Sequence, residues 1–258
     1  MAENPLILSA LVCLMMQTAA WLWQWKTNNA DIVDITWCFS IVVSALIYFH
    51  QAPGQGSIVY MIILFPIIWY ARLGIHLLIR YRIEHEDSRY QNLRSHWSQR
   101  RQFKFFWFFV FQAFLGWLFA LPAFFISASE ASMGLIAGIA VAIGLVAFIG
   151  ASIADKQLYQ FKSNPANKGK VCDTGLWRYS RHPNYFFEWT HWFVYPLLSF
   201  QTEYFYWSLL FPVLMLVFLL KITGIPFAEQ QALKNRGEVY RQYQLRTNKF
   251  FLGNPKHD

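Results

Sequence analysis

The sequence predicts an all-α, polytopic integral membrane protein, and three observations carry that prediction. Of its 258 residues, 56% are hydrophobic and only 14% charged, where a soluble domain carries roughly 25% charged residues. Seven apolar segments, at 5–25, 32–50, 57–80, 104–127, 132–154, 183–200 and 204–222, are long enough or nearly so to cross a hydrocarbon core. Lys and Arg then fall on one side of the threaded chain. A single membrane domain, 1–258, accounts for the length.

The segments can be justified in order. The first, 5–25, follows Met-Ala-Glu-Asn-Pro, which lacks a positive cluster, so it reads as a retained helix and not a cleaved signal. The second opens on Asp31, in position to cap it, with Asp34 one turn later. The third ends in a polar stripe, Trp69, Arg72, His76 and Arg80, because positions three or four apart share a helix face. The connection 81–103 is dense in charge and predicts a partly helical segment on the membrane surface. The fourth and fifth segments are almost uninterrupted. The connection 155–182 contains Pro165, Gly169 and Gly175 and predicts irregular structure. The sixth segment carries a second polar stripe, Asn184, Glu188, His191 and Tyr195, and the seventh ends at Lys221. From Pro226 to Arg246 the pattern predicts an amphipathic helix.

Charge sets the orientation. The connections 51–56, 128–131 and 201–203 contain no Lys or Arg, whereas Lys26, the loops 80–104 and 155–182 and the tail beyond Lys221 hold the basic residues. Cytoplasmic loops carry this excess, so the N-terminus is predicted outside and the C-terminus in the cytoplasm. Of the 22 basic residues only Arg72 falls in the interior of a span, and Arg80, Lys104 and Lys221 stand at span ends. The net charge of +8 therefore reads as topology and phospholipid contact, and no nucleic acid is expected.

Several chemistries are excluded. Cys13, Cys38 and Cys172 lack metal-ligand spacing, their odd number argues against a disulfide framework, and no His pair stands at zinc spacing, so no metal is expected. There is no Gly-x-Gly-x-x-Gly, Walker A loop or Gly-x-Ser-x-Gly. Asp34, Arg72, His76, Glu188 and His191 fall at similar predicted depths in three spans. Ionisable groups in a membrane mark function or pairing, and their levelling predicts a polar cavity open to the cytoplasm. Arg82, Arg89, Tyr90, Arg94, Lys162, Lys168, Lys170, Arg178 and Arg181 are candidates to hold a phosphorylated ligand there.

The stretch Gly175-Leu-Trp-Arg-Tyr-Ser-Arg-His-Pro-Asn-Tyr-Phe-Phe-Glu-Trp189 resembles the signature of steroid 5α-reductase-like membrane proteins, in particular their bacterial branch. Asp31-Ile-Val-Asp34-Ile-Thr-Trp37, Trp69-Tyr-Ala-Arg72-Leu-Gly, Glu86-Asp-Ser-Arg-Tyr90 and the Tyr240-Arg-Gln-Tyr243 tail extend the resemblance over about 31–252. It implies a seven-helix enzyme of the bacterial inner membrane that takes NADPH from the cytoplasmic side, through its part at about 150–252. The activity implied is reduction of a carbon–carbon double bond conjugated to a ketone in an apolar substrate drawn from the bilayer.

The resemblance implies that Asn184 and Glu188 contact the nicotinamide end. Asp155, Lys162, Lys170, Arg178, Tyr179, Arg181, His182, Tyr185, Glu229, Tyr243, Arg89 and Tyr90 complete the expected cofactor set. The catalytic expectation is Tyr70, positioned by Asp34, with Arg72 as an electrostatic alternative. The steroid enzymes' Gln-Glu-Leu-Pro element is replaced here by Val33-Asp34-Ile-Thr, and their His-rich run by Ala228-Glu-Gln-Gln. The steroid-specific parts are thus unmatched. The Arg-His-Pro-x-Tyr element also occurs in isoprenylcysteine carboxyl methyltransferases, so a membrane methyltransferase using S-adenosylmethionine is the alternative. A small transporter or lipid-binding scaffold is the non-enzymatic reading.

Overall fold

The structure, a computed structural model, describes residues 4–52 and 56–256. Positions 53–55 of the connection at 51–56, and residues 1–3 and 257–258, lie outside the described residues. The described residues are helical throughout and contain no strand. The long helices are α1 (Pro5–Thr27), α2 (Ile32–His50), α3 (Ile68–Arg80), α5 (Arg101–Ser127) and α6 (Leu135–Ser163). Between α3 and α5 lies α4 (Ser88–His96). The C-terminal part comprises α7 (Pro183–His191), α8 (Val194–Leu198), α9 (Phe205–Ser208), α10 (Leu210–Val217), α11 (Gly224–Arg236) and α12 (Glu238–Arg246).

Six helical stretches are long and apolar enough to cross a membrane: Pro5–Thr27, Ile32–His50, Ser57–Arg80, Arg101–Ser127, Leu135–Ser163 and Phe205–Arg236. The segment expected at 183–200 is instead two short helices, α7 and α8, separated at Trp192 and Phe193. Ser57–Arg80 reaches α3 through a π-helical turn, Ile63–Ile67, with Pro66 inside it. Proline has no N–H for the regular ladder, and a widened turn absorbs that loss.

Two compact units organise the contacts. The first holds the described residues up to Gly134, with Leu198–Phe205. Here α2 packs against α1, α3 and α5, and α1 also packs on α5. The face that α1 buries is its polar and small one: Ser9, Cys13, Gln17, Ala20 and Gln24. Ser9 Oγ lies 2.6 Å from Tyr48 Oη, Gln17 Nε2 donates to the Val33 carbonyl at 3.3 Å, and Gln24 Nε2 donates to Gln102 Oε1 at 2.6 Å. Ile7, Leu11, Met15 and Leu22 stay exposed on this unit. Lipid tails are as apolar as Leu, so membrane helices associate through small and hydrogen-bonding residues and leave aliphatic ones to the bilayer. Cys13 and Cys38 are buried thiols, the small core residues their positions predict.

The second unit holds Leu135–Leu197 and the described residues from Tyr206 on. Its backbone is α6 against α7. The buried face of α6 is Ala137, Ala140, Gly144, Ala147, Gly150, Ala151 and Ala154, a ribbon that lets α7 approach closely. α6 runs on to Ser163, so 155–163 is helical and not the irregular loop the sequence predicted; Pro165 marks its end. The expected helix from Pro226 to Arg246 is two helices. Gly237, at φ 49° and ψ −122°, a conformation that a Cβ disfavours, separates α11 from α12 while its N–H caps Leu233 at 2.8 Å.

Candidate functional site

Each unit contains one concentration of polar side chains. In the first, the start of α2 and the connection from α3 to α4 are fastened together. Asp31 stands at the N-cap of α2 but makes no cap bond to the helix. Its two oxygens instead accept the Asp87 N–H at 2.9 and 3.1 Å. Asp34, one turn on, accepts Tyr90 Oη at 2.7 Å and Arg89 Nη2 at 3.0 Å, one partner on each oxygen. Asp87 caps α4 through the Arg89 N–H. Glu86 accepts the Ala30 N–H and Arg94 Nη2, each at 2.7 Å.

The electrostatics follow from this packing. Burial pushes the Tyr90 hydroxyl well above its ordinary range, and the Asp34 charge adds to it. Burial works against the charge on Arg89, but Asp34, Tyr90 and Asp87 outweigh it and hold the guanidinium firmly protonated. Burial raises Asp31 to about 6. The Asp87 N–H works against that shift, and the carboxylates of Asp87, Asp34 and Glu86 reinforce it.

Tyr70 is buried and lies edge-on to Trp37, with ring centroids 5.6 Å apart. Arg72 is half-buried with its guanidinium 5.1 Å above the Trp69 ring, and Arg80 Nη1 lies 3.5 Å from His76 Nε2. The stripe read in the third segment is therefore one contiguous face. The hydroxyl donating to Asp34 is that of Tyr90.

In the second unit, the loop before α7 and the chain after α12 are fastened to each other. The Arg181 N–H donates to the Asn248 carbonyl at 2.8 Å, and the Gly253 N–H to the Tyr179 carbonyl at 3.1 Å. Ser180 Oγ donates to the Phe250 carbonyl at 2.8 Å. The Arg181 guanidinium donates to Glu229 Oε1 at 2.7 Å and to the Gln244 and Thr247 carbonyls at 2.9 and 2.7 Å. Tyr243 Oη donates to the Trp177 carbonyl. Arg181, expected as a cofactor ligand, is thus deeply engaged in holding the tail.

Beside this junction lies a cavity of about 240 Å³. Lys162, Arg181, His182, Asn184, Tyr185 and Tyr243, all expected from the sequence, line it together. Trp177, Cys172, Arg236 and Tyr240 also line it and were not singled out beforehand. Trp177 lies inside the quoted signature and Tyr240 one turn before Tyr243, so both carried a signal; Arg236 carried none beyond its charge. No lining residue is Asp or Glu.

Asn184 Nδ2 donates to Asp155 Oδ1 at 3.2 Å, which fixes its amide. His182 stacks on Tyr185 at 5.7 Å and lies 3.4 Å from Glu229 Oε1. Burial lowers the His182 imidazole below its ordinary range against the pull of Glu229. Burial raises Tyr240 to about 12 and raises Tyr243 further. Lys170 is exposed, and its carbonyl accepts Arg236 Nε at 2.8 Å. Arg178 and Tyr179 are exposed, and Glu188 is half-buried on α7 beyond the lining residues. His191, fully buried, lies with Nε2 2.8 Å from Tyr195 Oη.

Helices long and apolar enough to cross a membrane, the first of them burying its polar face, define a polytopic helical membrane protein, and its second unit holds a cationic and aromatic cavity. A family model described as "Protein of unknown function (DUF1295)" matches residues 20–247. The chain belongs to that family of membrane proteins, which includes steroid 5α-reductase-like members. No curated protein and no solved structure matches the chain.

Proposed function

We propose that this protein is a membrane reductase that uses NADPH to reduce an enone double bond in an apolar, isoprenoid-like or steroid-like substrate. The observation that carries the reading is the cavity of the second unit: cationic at Lys162 and Arg236, aromatic at Trp177, Tyr185, Tyr240 and Tyr243, and free of carboxylates in its lining. Arg and Lys suit phosphates, and aromatic rings suit a base. S-adenosylmethionine carries a cationic sulfonium, which such a lining does not favour.

Bound there, NADPH supplies a hydride. The side chains supply the rest. Asn184, its amide fixed by Asp155, and Glu188 orient the carboxamide end. His182 and its stacked partner Tyr185 form a wall that excludes water. Charge developing on a substrate carbonyl needs a donor or cation, the role that the resemblance gives to Tyr70 and Arg72 of the first unit. Asp34, whose oxygens hold Tyr90 and Arg89, is assigned to fastening α4 and not to positioning Tyr70.

The reading includes seven crossings with the N-terminus outside and the C-terminus in the cytoplasm. The tail is hydrogen-bonded to Tyr179–Arg181, so both stand on one side of the membrane. The chain between them must cross an even number of times. Phe205–Arg236 is long and apolar enough for one crossing, and the broken segment α7–α8 is assigned the other. The basic residues favour the cytoplasm for that side.

Titration of the purified protein with NADPH, followed by nicotinamide fluorescence, tests the proposal. Saturable binding is expected, weakened about tenfold in Asn184→Ala, the equivalent of one hydrogen bond. Thermal stabilisation by S-adenosylmethionine and none by NADPH would reverse the assignment to methyl transfer.

A further inference from the structure

Residues 88–129 contain no Asp or Glu but carry Arg89, Arg94, Arg100, Arg101 and Lys104. Arg89 and Arg94 are committed to Asp34, Asp87 and Glu86. Among the described residues no ion pair includes Arg100, Arg101 or Lys104. These three cations surround the first turn of α5, which has no acidic residue and no side-chain cap from Arg100.

Beside them the first unit has a second cavity, of about 380 Å³, lined by Trp97, Phe103, Lys104, Trp107 and Phe108. One wall is packed on the core: Trp97 lies edge-on against Phe105 at 5.1 Å and Phe108 at 6.1 Å. Its near wall, Phe103 and Trp107, is 59% and 56% exposed.

We propose that this cavity binds one anionic phospholipid, with its phosphate on Arg100, Arg101 and Lys104 and the start of an acyl chain between Trp97 and Trp107. The order along α5 matches the order within the lipid. The cations come first, at the helix end whose orphan N–H groups and dipole favour an anion. Phe103 lies between Arg101 and Lys104, and Trp107 and Phe108 follow three and four residues past Lys104, about 5–6 Å further along the axis. Trp and Lys at such a boundary are ordinary interfacial anchors. A surface depression walled on one side by a core-packed Trp and uncompensated charge in three neighbouring cations make this one selective. The charge selects an anionic headgroup over a zwitterionic one.

Native mass spectrometry of the full chain with equal phosphatidylglycerol and phosphatidylcholine tests the proposal. Phosphatidylglycerol is expected to be retained at least fivefold more. Arg101→Gln with Lys104→Gln should lower that retention by about fivefold for each cation removed, and Arg101→Lys with Lys104→Arg should preserve it. Trp107→Leu, which keeps every charge, should lower it at least threefold and stands in should the glutamine variant not fold. Equal retention of the two lipids, or phosphatidylglycerol retention unchanged in the glutamine or leucine variant, overturns the proposal. Full displacement by millimolar inorganic phosphate overturns it as well, because the site would then take a free anion and not a lipid.

Discussion

Arg181 reaches Glu229 with two nitrogens, Nε and Nη2, both 2.7 Å from Oε1, in a setting where each side chain is less than 15% exposed. The same guanidinium holds the carbonyls of Gln244 and Thr247. One residue thus ties the loop before α7 to α11 and to the chain after α12. Removing one partner of a buried pair strands the other. Arg181→Leu should therefore cost about 3 kcal/mol and lower the melting temperature in detergent. Arg181→Lys should recover only part of it, since a single ammonium cannot reproduce the fork. Unchanged melting in Arg181→Leu would show that the tail is held by other contacts.

This residue also shows what the sequence could and could not reveal. Arg181 stood in the signature, so its importance was legible. Its partners were not, because Glu229, Gln244 and Thr247 lie 48 to 66 residues away. The stripe Trp69–Arg72–His76–Arg80 was legible because helical spacing alone brings those side chains together. The segment at 183–200 was legible as apolar but not as broken, since the turn at Trp192 and Phe193 contains no Gly or Pro. The buried face of α1 reads as its polar side, which apolar periodicity cannot find in a membrane helix. Asp31 looked like a cap from position alone, and only the returning connection showed that it holds Asp87.

Gly150 of α6 packs directly against Phe187 of α7. A Cβ built there would collide with the Phe187 ring. Gly150→Ala should therefore destabilise the protein by about 1–3 kcal/mol, the usual cost of overpacking, although alanine is the better helix former. Phe187→Leu should relieve part of the strain, giving a non-additive double mutant. Additive losses in thermal unfolding would place the strain elsewhere.

Asp31 makes stability pH-dependent, and its sign is opposite to that of an ordinary salt-bridged carboxylate. Its folded pKa is raised from 3.8 to about 6, chiefly by burial. The native state therefore holds the proton more tightly than the unfolded chain. The contribution is fully present below pH 3.8 and is lost as pH rises through about 6. Across that window the wild type should lose stability relative to Asp31→Asn, which keeps an acceptor for the Asp87 N–H and does not titrate. Parallel melting curves from pH 4 to 7 would sink the assignment.

Tyr90 and Tyr70 set a structural hydroxyl against one proposed to be chemical. Tyr90 donates to Asp34 at 2.7 Å, and its proton is directed at that carboxylate. Tyr90→Phe removes a charge-assisted hydrogen bond and should cost about 2 kcal/mol of stability. It also loosens α4 from α2, leaving Arg89 as the remaining tie to Asp34. Tyr70 packs on Trp37 within the same unit. In the proposed reaction Tyr70→Phe should leave melting within about 1 kcal/mol of wild type and lower kcat at least tenfold. Measured together, the two variants should move different observables. A large loss of turnover in Tyr90→Phe with unchanged melting would give the chemical role to Tyr90 and return Asp34 to the reacting site.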